Sequence, residues 1–203
     1  MADALDRRHR RSIRLKGYDY SLAGAYFVTI STQDRRCVFG DVVAGVMRLN
    51  DAGRTVSTEW DTLPAQFPGI DLDAFVVMPN HIHGIIIFAT RVSVGAPLVG
   101  AQDVASNRTI DNRATTRVAP TLGDVVGAFK SRVTVEYTRG VKTKGWPAFR
   151  RCLWQRNCYE HIIRNEASLN HIQQYILDNP ARWAFDRENP LAVAPEPEGI
   201  WQV

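Results

Sequence analysis

The sequence predicts an α+β fold: a ferredoxin-like antiparallel sheet with helices mainly on one face, and an extra C-terminal helix. Three observations point there. Runs rich in Val, Ile and Phe alternate with helical periodicities in the order strand, helix, strand, strand, helix, strand, helix. Two apolar runs, Ala74 to Met78 and Ile82 to Phe88, are split by Pro79-Asn80, which reads as two strands and a tight turn with proline setting φ at the corner. The chain is 45% hydrophobic but has no apolar run near the ~18 residues of a membrane span, so it reads as globular with no membrane partner.

Taken in order, residues 1–20 read as a flexible basic arm tipped by Tyr18 and Tyr20. Gly24 to Thr32 has strand composition and alternation and is expected to be the first strand. Arg35 to Phe39 and Val42 to Leu49 suggest a short hairpin-like excursion. Asn50 or Asp51 can cap a helix to about Leu63, with Val56, Trp60 and Leu63 at helical spacing and Pro64 expected to end it. The 74–88 hairpin follows. Residues 91–120 lose periodicity and read as a long surface insertion. Thr121, supported by Asp124, caps a second helix carrying Val125, Val126, Phe129, Val133 and Tyr137 on one face, with Gly140 expected to end it. Phe149 to Tyr159 is expected to be the last strand. Asn165 and Glu166 open a third helix closed by Pro180. The organisation is therefore a basic arm (1–20), one domain (21–184) and a Pro- and Glu-rich tail (185–203).

The net charge of +4 conceals a segregation. Arg7, Arg8, Arg10, Arg11 and Arg14, with Lys16, face only Asp3 and Asp6 in the first 16 residues. Between Ala128 and Arg164 nine cations, among them Lys130, Arg132, Lys144, Arg150, Arg151, Arg156 and Arg164, face Glu136 and Glu160. Asp41 to Phe75 is acidic instead. That pattern suggests a polyanion-binding side and a solvated opposite side. Cys37, Cys152 and Cys158 form no CxxC pair, which argues against a zinc ribbon or a disulfide framework. With no signal peptide, a cytoplasmic and nucleoid-associated protein is expected.

The second strand of the hairpin opens with His81 and His83. Residues at i and i+2 of a strand point the same way, ~6.5–7 Å apart, so the two imidazoles can converge on one metal ion while Ile82 anchors the core. Two histidines on a half-exposed strand are the plainer reading of a bare HxH. A histidine-triad hydrolase wants a third His where Ile85 stands. The two-histidine phosphoesterases want a second copy of their motif, and a zinc hydrolase wants further ligands. The third helix changes the balance. Tyr175 and Asn179 share a face four residues apart. Asn179 offers an amide oxygen as a third ligand at a helix C-terminus, whose negative dipole end favours a cation. Tyr175 then lies one turn from the ion, placed to attack what it holds. Tyr159, in YEH, is the rival nucleophile, but Ile163 stands four residues beyond it and cannot ligate.

FVVMPNHIHGIIIF resembles the His-hydrophobe-His motif of single-tyrosine HUH transposases. GYDYSLAGAYFVTI, LGDVVGAFKSR and LWQRNCYEHIIRNEASLNHIQQYILDNPARW resemble the REP-associated branch of that group. The resemblance spans about residues 11 to 184; the insertion at 91–120 and the acidic tail depart from it. It implies His81, His83 and Asn179 as metal ligands and Tyr175 as nucleophile. It also implies single-stranded or hairpin DNA as substrate, handled by a monomer or a homodimer. The cations named above would neutralise phosphates, and Trp146, Phe149 and Trp154 could stack unpaired bases.

The chemistry is coherent. A free phenol has a pKa near 10, so holding it ionised at neutral pH costs about 4 kcal/mol, and a bound cation would favour attack on a phosphate. Imidazole and oxygen ligands without thiolate suit Mg²⁺ or Mn²⁺. A phosphotyrosyl link keeps the phosphodiester energy, which favours cut-and-rejoin over hydrolysis. Two alternatives stay open: an HUH nuclease or replication initiator without transposition, and a non-catalytic nucleic-acid-binding module on the same sheet.

Overall fold

The computed structural model describes residues 22–89 and 120–192. The basic arm with Arg7, Arg8, Arg10, Arg11 and Arg14, the insertion up to residue 119, and the tail beyond 192 lie outside the described residues. The elements are β1 (Gly24–Ser31), β2 (Gly40–Val43), β3 (Val46–Leu49), α1 (Asp51–Asp61), α2 (Leu63–Gln66), β4 (Ile70–Val77), β5 (His81–Phe88), α3 (Leu122–Lys144), β6 (Tyr159–Ile163) and α4 (Glu166–Asp178). A 3₁₀ segment, Asn179–Phe185, continues α4.

The main sheet has the strand order β4-β5-β1-β6 with every neighbour antiparallel, the arrangement expected of a ferredoxin-like fold. The histidine strand β5 is central, as expected. β2 and β3 form a separate hairpin. The pleat sorts side chains between two cores. On one face Tyr26, Val28, Ile30, Ile82 and Ile86 pack with Val56 and Trp60 of α1 and with Val125, Phe129 and Val133 of α3. On the other, Phe27, Ile85 and Ile163 meet Ile172, Tyr175 and Ile176 of α4. The helices thus lie mainly on one face, with α4 on the other.

Local signals set the helix starts. Asn50 Oδ1 accepts from the Gly53 amide at 2.9 Å, Thr121 and Asp124 form a capping box, and Asn165 Oδ1 accepts from the Ser168 amide at 2.8 Å. Three expectations need correction. The first helix stops at Asp61, and Pro64 sits in the first turn of α2, where its missing N–H costs nothing. α3 does not end at Gly140 but runs to Lys144 and closes on Gly145 at φ 70°. Gly140 instead makes room for Trp146, whose ring would lie 2.2 Å from an added Cβ. The last strand is Tyr159–Ile163 rather than Phe149–Tyr159. The chain before it is held otherwise: Lys130 Nζ takes the carbonyls of Gln155, Arg156 and Asn157 at 3.1–3.4 Å. Trp154 is buried against Phe39 and Phe129, which withdraws it from base stacking.

One residue register deserves a test because it seats β5. Gly84, between His83 and Ile85, leaves space that the Trp60 ring fills: an added Cβ would lie 2.4 Å from Trp60 and 3.1 Å from Phe75. Trp60 itself stacks on Phe75 with centroids 4.5 Å apart. Gly84→Ala should therefore destabilise the protein by about 1–3 kcal/mol through overpacking. A urea midpoint unchanged from wild type would contradict this packing.

Candidate metal and tyrosine site

The site is built where β5 begins. In the β1–β5 register Ser31 faces His81 and Thr29 faces His83, so both imidazoles rise from the α4 side of the sheet. Both are fully or nearly fully buried. Their Nε2 atoms lie 3.1 Å apart, so the pair converges as the i, i+2 spacing predicts.

The other ring nitrogens are held from behind. His81 Nδ1 lies 2.8 Å from Asn80 Oδ1, and the Asn80 amide nitrogen donates to the carbonyls of Arg35 (3.0 Å) and Glu188 (2.7 Å). Those two acceptors fix which end of the amide faces the ring. Nδ1 therefore carries the proton, and His81 Nε2 presents its lone pair. His83 Nδ1 lies 2.8 Å from the Thr29 hydroxyl, which can rotate to donate or accept. When it accepts, both Nε2 lone pairs point at one spot. Phe27 stacks on the His83 ring at 5.4 Å.

Burial, with the Arg35 charge as the lesser cause, pushes the His81 pKa down to about 3. Burial first, and His81 second, hold His83 well below its ordinary value, against an opposing pull from Asp186. Both rings are therefore neutral at pH 7, the form that ligates a metal.

α4 brings Tyr175 to the same place. Its hydroxyl lies 3.5 Å from His83 Nε2, with ring centroids 5.3 Å apart. α4 is tied to the sheet by Gln173, whose amide donates to both Asp73 oxygens at 2.9 and 2.8 Å. Asp73 sits in a β-bulge of β4, where the pairing shifts by one residue between Leu72 and Phe75. Tyr159 sits opposite Thr29 on β6, its ring 6.3 Å from Phe27.

Asn179 lies at the C-terminal end of α4, buried, and its Oδ1 has no hydrogen-bond partner among the described residues. Sequence reasoning missed Asp186. With His81 and His83 it forms a buried group whose ligating atoms lie within 4.8 Å of one another. Its Oδ2 is 3.5 Å from His81 Nε2 and likewise has no hydrogen-bond partner. With Nε2 fixed as an acceptor, carboxylate oxygen and ring nitrogen face each other as two acceptors, an arrangement that a cation between them would satisfy. The donor set of two neutral imidazoles plus oxygens therefore fits a divalent ion. The missed signal was position: Asp186 and Trp183, whose ring is 6.1 Å from His81, lie at or beyond the boundary where the chain reads as a tail. Asn80 and Thr29 were also missed, because turn and strand residues of these types carry no sign of what they hold.

The cations divide. Lys130 is turned onto three backbone carbonyls, and Arg132 pairs with Glu59 at 2.6 Å. Lys144 lies over the Trp146 ring at 5.6 Å. Arg150, Arg151, Arg156 and Arg164 are exposed, with no ion-pair partner among the described residues. No helix among the described residues is long and apolar enough to cross a membrane.

No family model matches the chain. A solved REP-associated tyrosine transposase, bound to a REP hairpin, superposes with a TM-score of 0.50 at 18% identity, covering 83% of this chain and 73% of that one. That likeness is one of fold. An uncharacterized protein of Haemophilus influenzae is 41% identical over 179 residues, 88% of this chain and 92% of that one. The chain therefore belongs to the same family as that Haemophilus influenzae protein, on the α+β fold that the REP-associated tyrosine transposase displays.

Proposed function

We propose that this protein is a metal-dependent single-tyrosine transposase that cleaves and rejoins single-stranded DNA beside hairpins. The observation that carries the reading is the meeting of Tyr175 with the histidine pair: a helix phenol 3.5 Å from His83, and an unpartnered carboxylate oxygen of Asp186 3.5 Å from His81. A structural cluster would not need this combination, since buried polar atoms are ordinarily hydrogen-bonded.

His81 and His83 would hold the ion, with Asn179 Oδ1 and Asp186 Oδ2 as the available oxygen ligands. When bound, a divalent cation such as Mg²⁺ or Mn²⁺ supplies positive charge that stabilises a phosphate under attack. The chain's own residues do the rest. Asn80 and Thr29 orient the imidazoles from behind, as partners of metal-ligating histidines ordinarily do. The Asp73–Gln173 contact and the Phe27 ring, 6.2 Å from that of Tyr175, hold the phenol at a fixed distance from the pair. Tyr175 Oη forms a bond to phosphorus as the bond to the 3′-oxygen breaks, and the phenol proton ends on that oxygen. The products are a 5′-phosphotyrosyl enzyme and a 3′-hydroxyl, and attack by another 3′-hydroxyl reverses the step without an energy source. The fold likeness to a transposase bound to a DNA hairpin supports the substrate class. The exposed Arg150, Arg151, Arg156 and Arg164 supply phosphate-binding charge.

Incubated with Mn²⁺ and a labelled hairpin with a single-stranded flank, the protein should form a covalent adduct on denaturing gels. Tyr175→Phe should abolish it, whereas Tyr159→Phe should retain it. Loss of the adduct in Tyr159→Phe alone would move the nucleophile to β6, and no adduct across varied flanks would favour a binding module. Asn80→Ala should weaken Mn²⁺ binding by about 10–100-fold, measured by calorimetry, with the fold intact.

The pH dependence has a definite sign. The folded His81 pKa, about 3, lies below its ordinary value of 6.5, so the neutral ligand form persists as pH falls through 6.5 and is lost only toward 3. Mn²⁺ affinity should thus stay nearly constant from pH 8 to about pH 5.5. A steep loss centred near pH 6.5 would show ordinary, solvent-exposed imidazoles instead.

A further inference from the structure

A second group of reactive side chains stands on the other face of the sheet, away from the histidines. Cys158 directly precedes β6 and Glu160 follows two residues on, so in extended chain both point the same way. Glu160 pairs with Val28 of β1, whose side chain belongs to the larger core, and Cys158 packs half-buried against that core. A carboxylate on this buried face needs a reason, because acidic side chains are almost never buried without a partner. Here the Cys158 thiol donates to Glu160 Oε1 at 3.1 Å.

Lys130 of α3 brings a cation to the same place. Its ammonium donates to the carbonyls of Gln155, Arg156 and Asn157 at 3.1, 3.4 and 3.2 Å, and the last of these carbonyls belongs to the peptide that leads into Cys158. Burial pulls the Lys130 pKa below its ordinary value, and negative charge at Cys158 and Glu160 opposes that pull. Thiol, carboxylate and ammonium thus meet from two elements, β6 and α3. A base that takes the proton and a cation that holds the thiolate are what activates a cysteine. The other two thiols are set differently. Burial first, and the Asp41 charge second, raise the Cys37 pKa, which disfavours its thiolate. Cys152 Sγ meets the Gln33 amide oxygen at 3.7 Å, and an amide is no base.

We propose that Cys158 is a modification site, oxidised to the sulfenic acid by a small hydroperoxide such as hydrogen peroxide, with Glu160 as its base and Lys130 as its counter-ion. The thiol proton passes to Glu160, the sulfur bonds to one peroxide oxygen, and the O–O bond breaks. The departing oxygen takes the proton from Glu160 together with its own and leaves as water. The thiol loses two electrons and the peroxide gains them. Lys130 balances the sulfur's charge, first in the thiolate and then in the sulfenate.

The test treats the full chain with stoichiometric hydrogen peroxide, traps sulfenic acid with dimedone and maps the label by tandem mass spectrometry over time. Cys158 should be labelled about tenfold faster than Cys37 or Cys152, although both of those are more exposed. Glu160→Gln keeps the shape and an acceptor oxygen but removes the base, and should slow labelling of Cys158 by about a hundredfold. Lys130→Met keeps the stem without the charge and should slow it by about tenfold. Urea midpoints identify which variants are folded, and if neither is, the ranking of the three wild-type thiols decides. Labelling of Cys158 no faster than the other two, or at full speed in either folded variant, would overturn the inference. Neither outcome depends on Tyr175 cleaving DNA.

Discussion

The site depends on one constraint, the direction in which the His81 ring is protonated. That direction is set outside the ring by the Asn80 amide, whose nitrogen is committed to two backbone carbonyls, leaving its oxygen for Nδ1. An amide free to flip would present a donor instead, and Nε2 would lose its lone pair to a proton. Asn80 can be committed only because the turn carrying it is gripped on several sides. The Pro79 carbonyl accepts from Val38 and Phe39, and the Asn80 carbonyl accepts from Thr32. The chemistry of the imidazole thus traces back to backbone hydrogen bonds in a turn.

A second chain of dependence delivers Tyr175. α4 packs on the face of the sheet opposite the larger core, against Phe27, Ile85 and Ile163. Apolar packing alone would let it slide along that face, because hydrophobic contact is non-directional. The bulge in β4 removes this freedom by presenting Asp73 to Gln173, two residues before the phenol. Helix and strand then meet through a directed polar contact as well as an oily one. The phenol and the imidazoles keep their spacing because one sheet carries both, β5 directly and α4 through the neighbouring strand.

Much of this was legible in the sequence because the signals were local. The alternation in GAYFVTIS, the caps at Asn50, Thr121 and Asn165, and the HxH on a strand each depend on residues a few positions apart, and each fell where expected. The failures came where a distant contact overrode a local cue. Gly140 looked like a helix stop, but the Trp146 ring needs its bare Cα, and the helix continues. Residues 149–157 looked like a strand, yet Lys130 and the core take up the carbonyls and Trp154 that a ladder would have used. At the site only the convergence of His81 and His83 from one strand could be read from spacing. Asp186 could not, since its partner lies more than a hundred residues away and nothing nearby marks it.

The buried acceptors bear on stability as much as on chemistry. Leaving a polar atom buried without a partner costs about 1–3 kcal/mol; this site holds one such oxygen, Asp186 Oδ2, beside an acceptor nitrogen, and Asn179 at the end of α4 carries another. A protein is stable by only ~5–15 kcal/mol, so a cluster of this kind is a substantial fraction of the total. Apolar replacements would remove the cost, and the surrounding core of Phe27, Ile85 and Ile172 shows that this face of the sheet accommodates them. The polar atoms make physical sense when the folded protein binds something positive that the unfolded chain does not, since such binding stabilises the native state by mass action. On this reading the unpartnered Asp186 oxygen and the neutral imidazoles are one feature: lone pairs assembled by the fold, with the cation they would share supplied from solution.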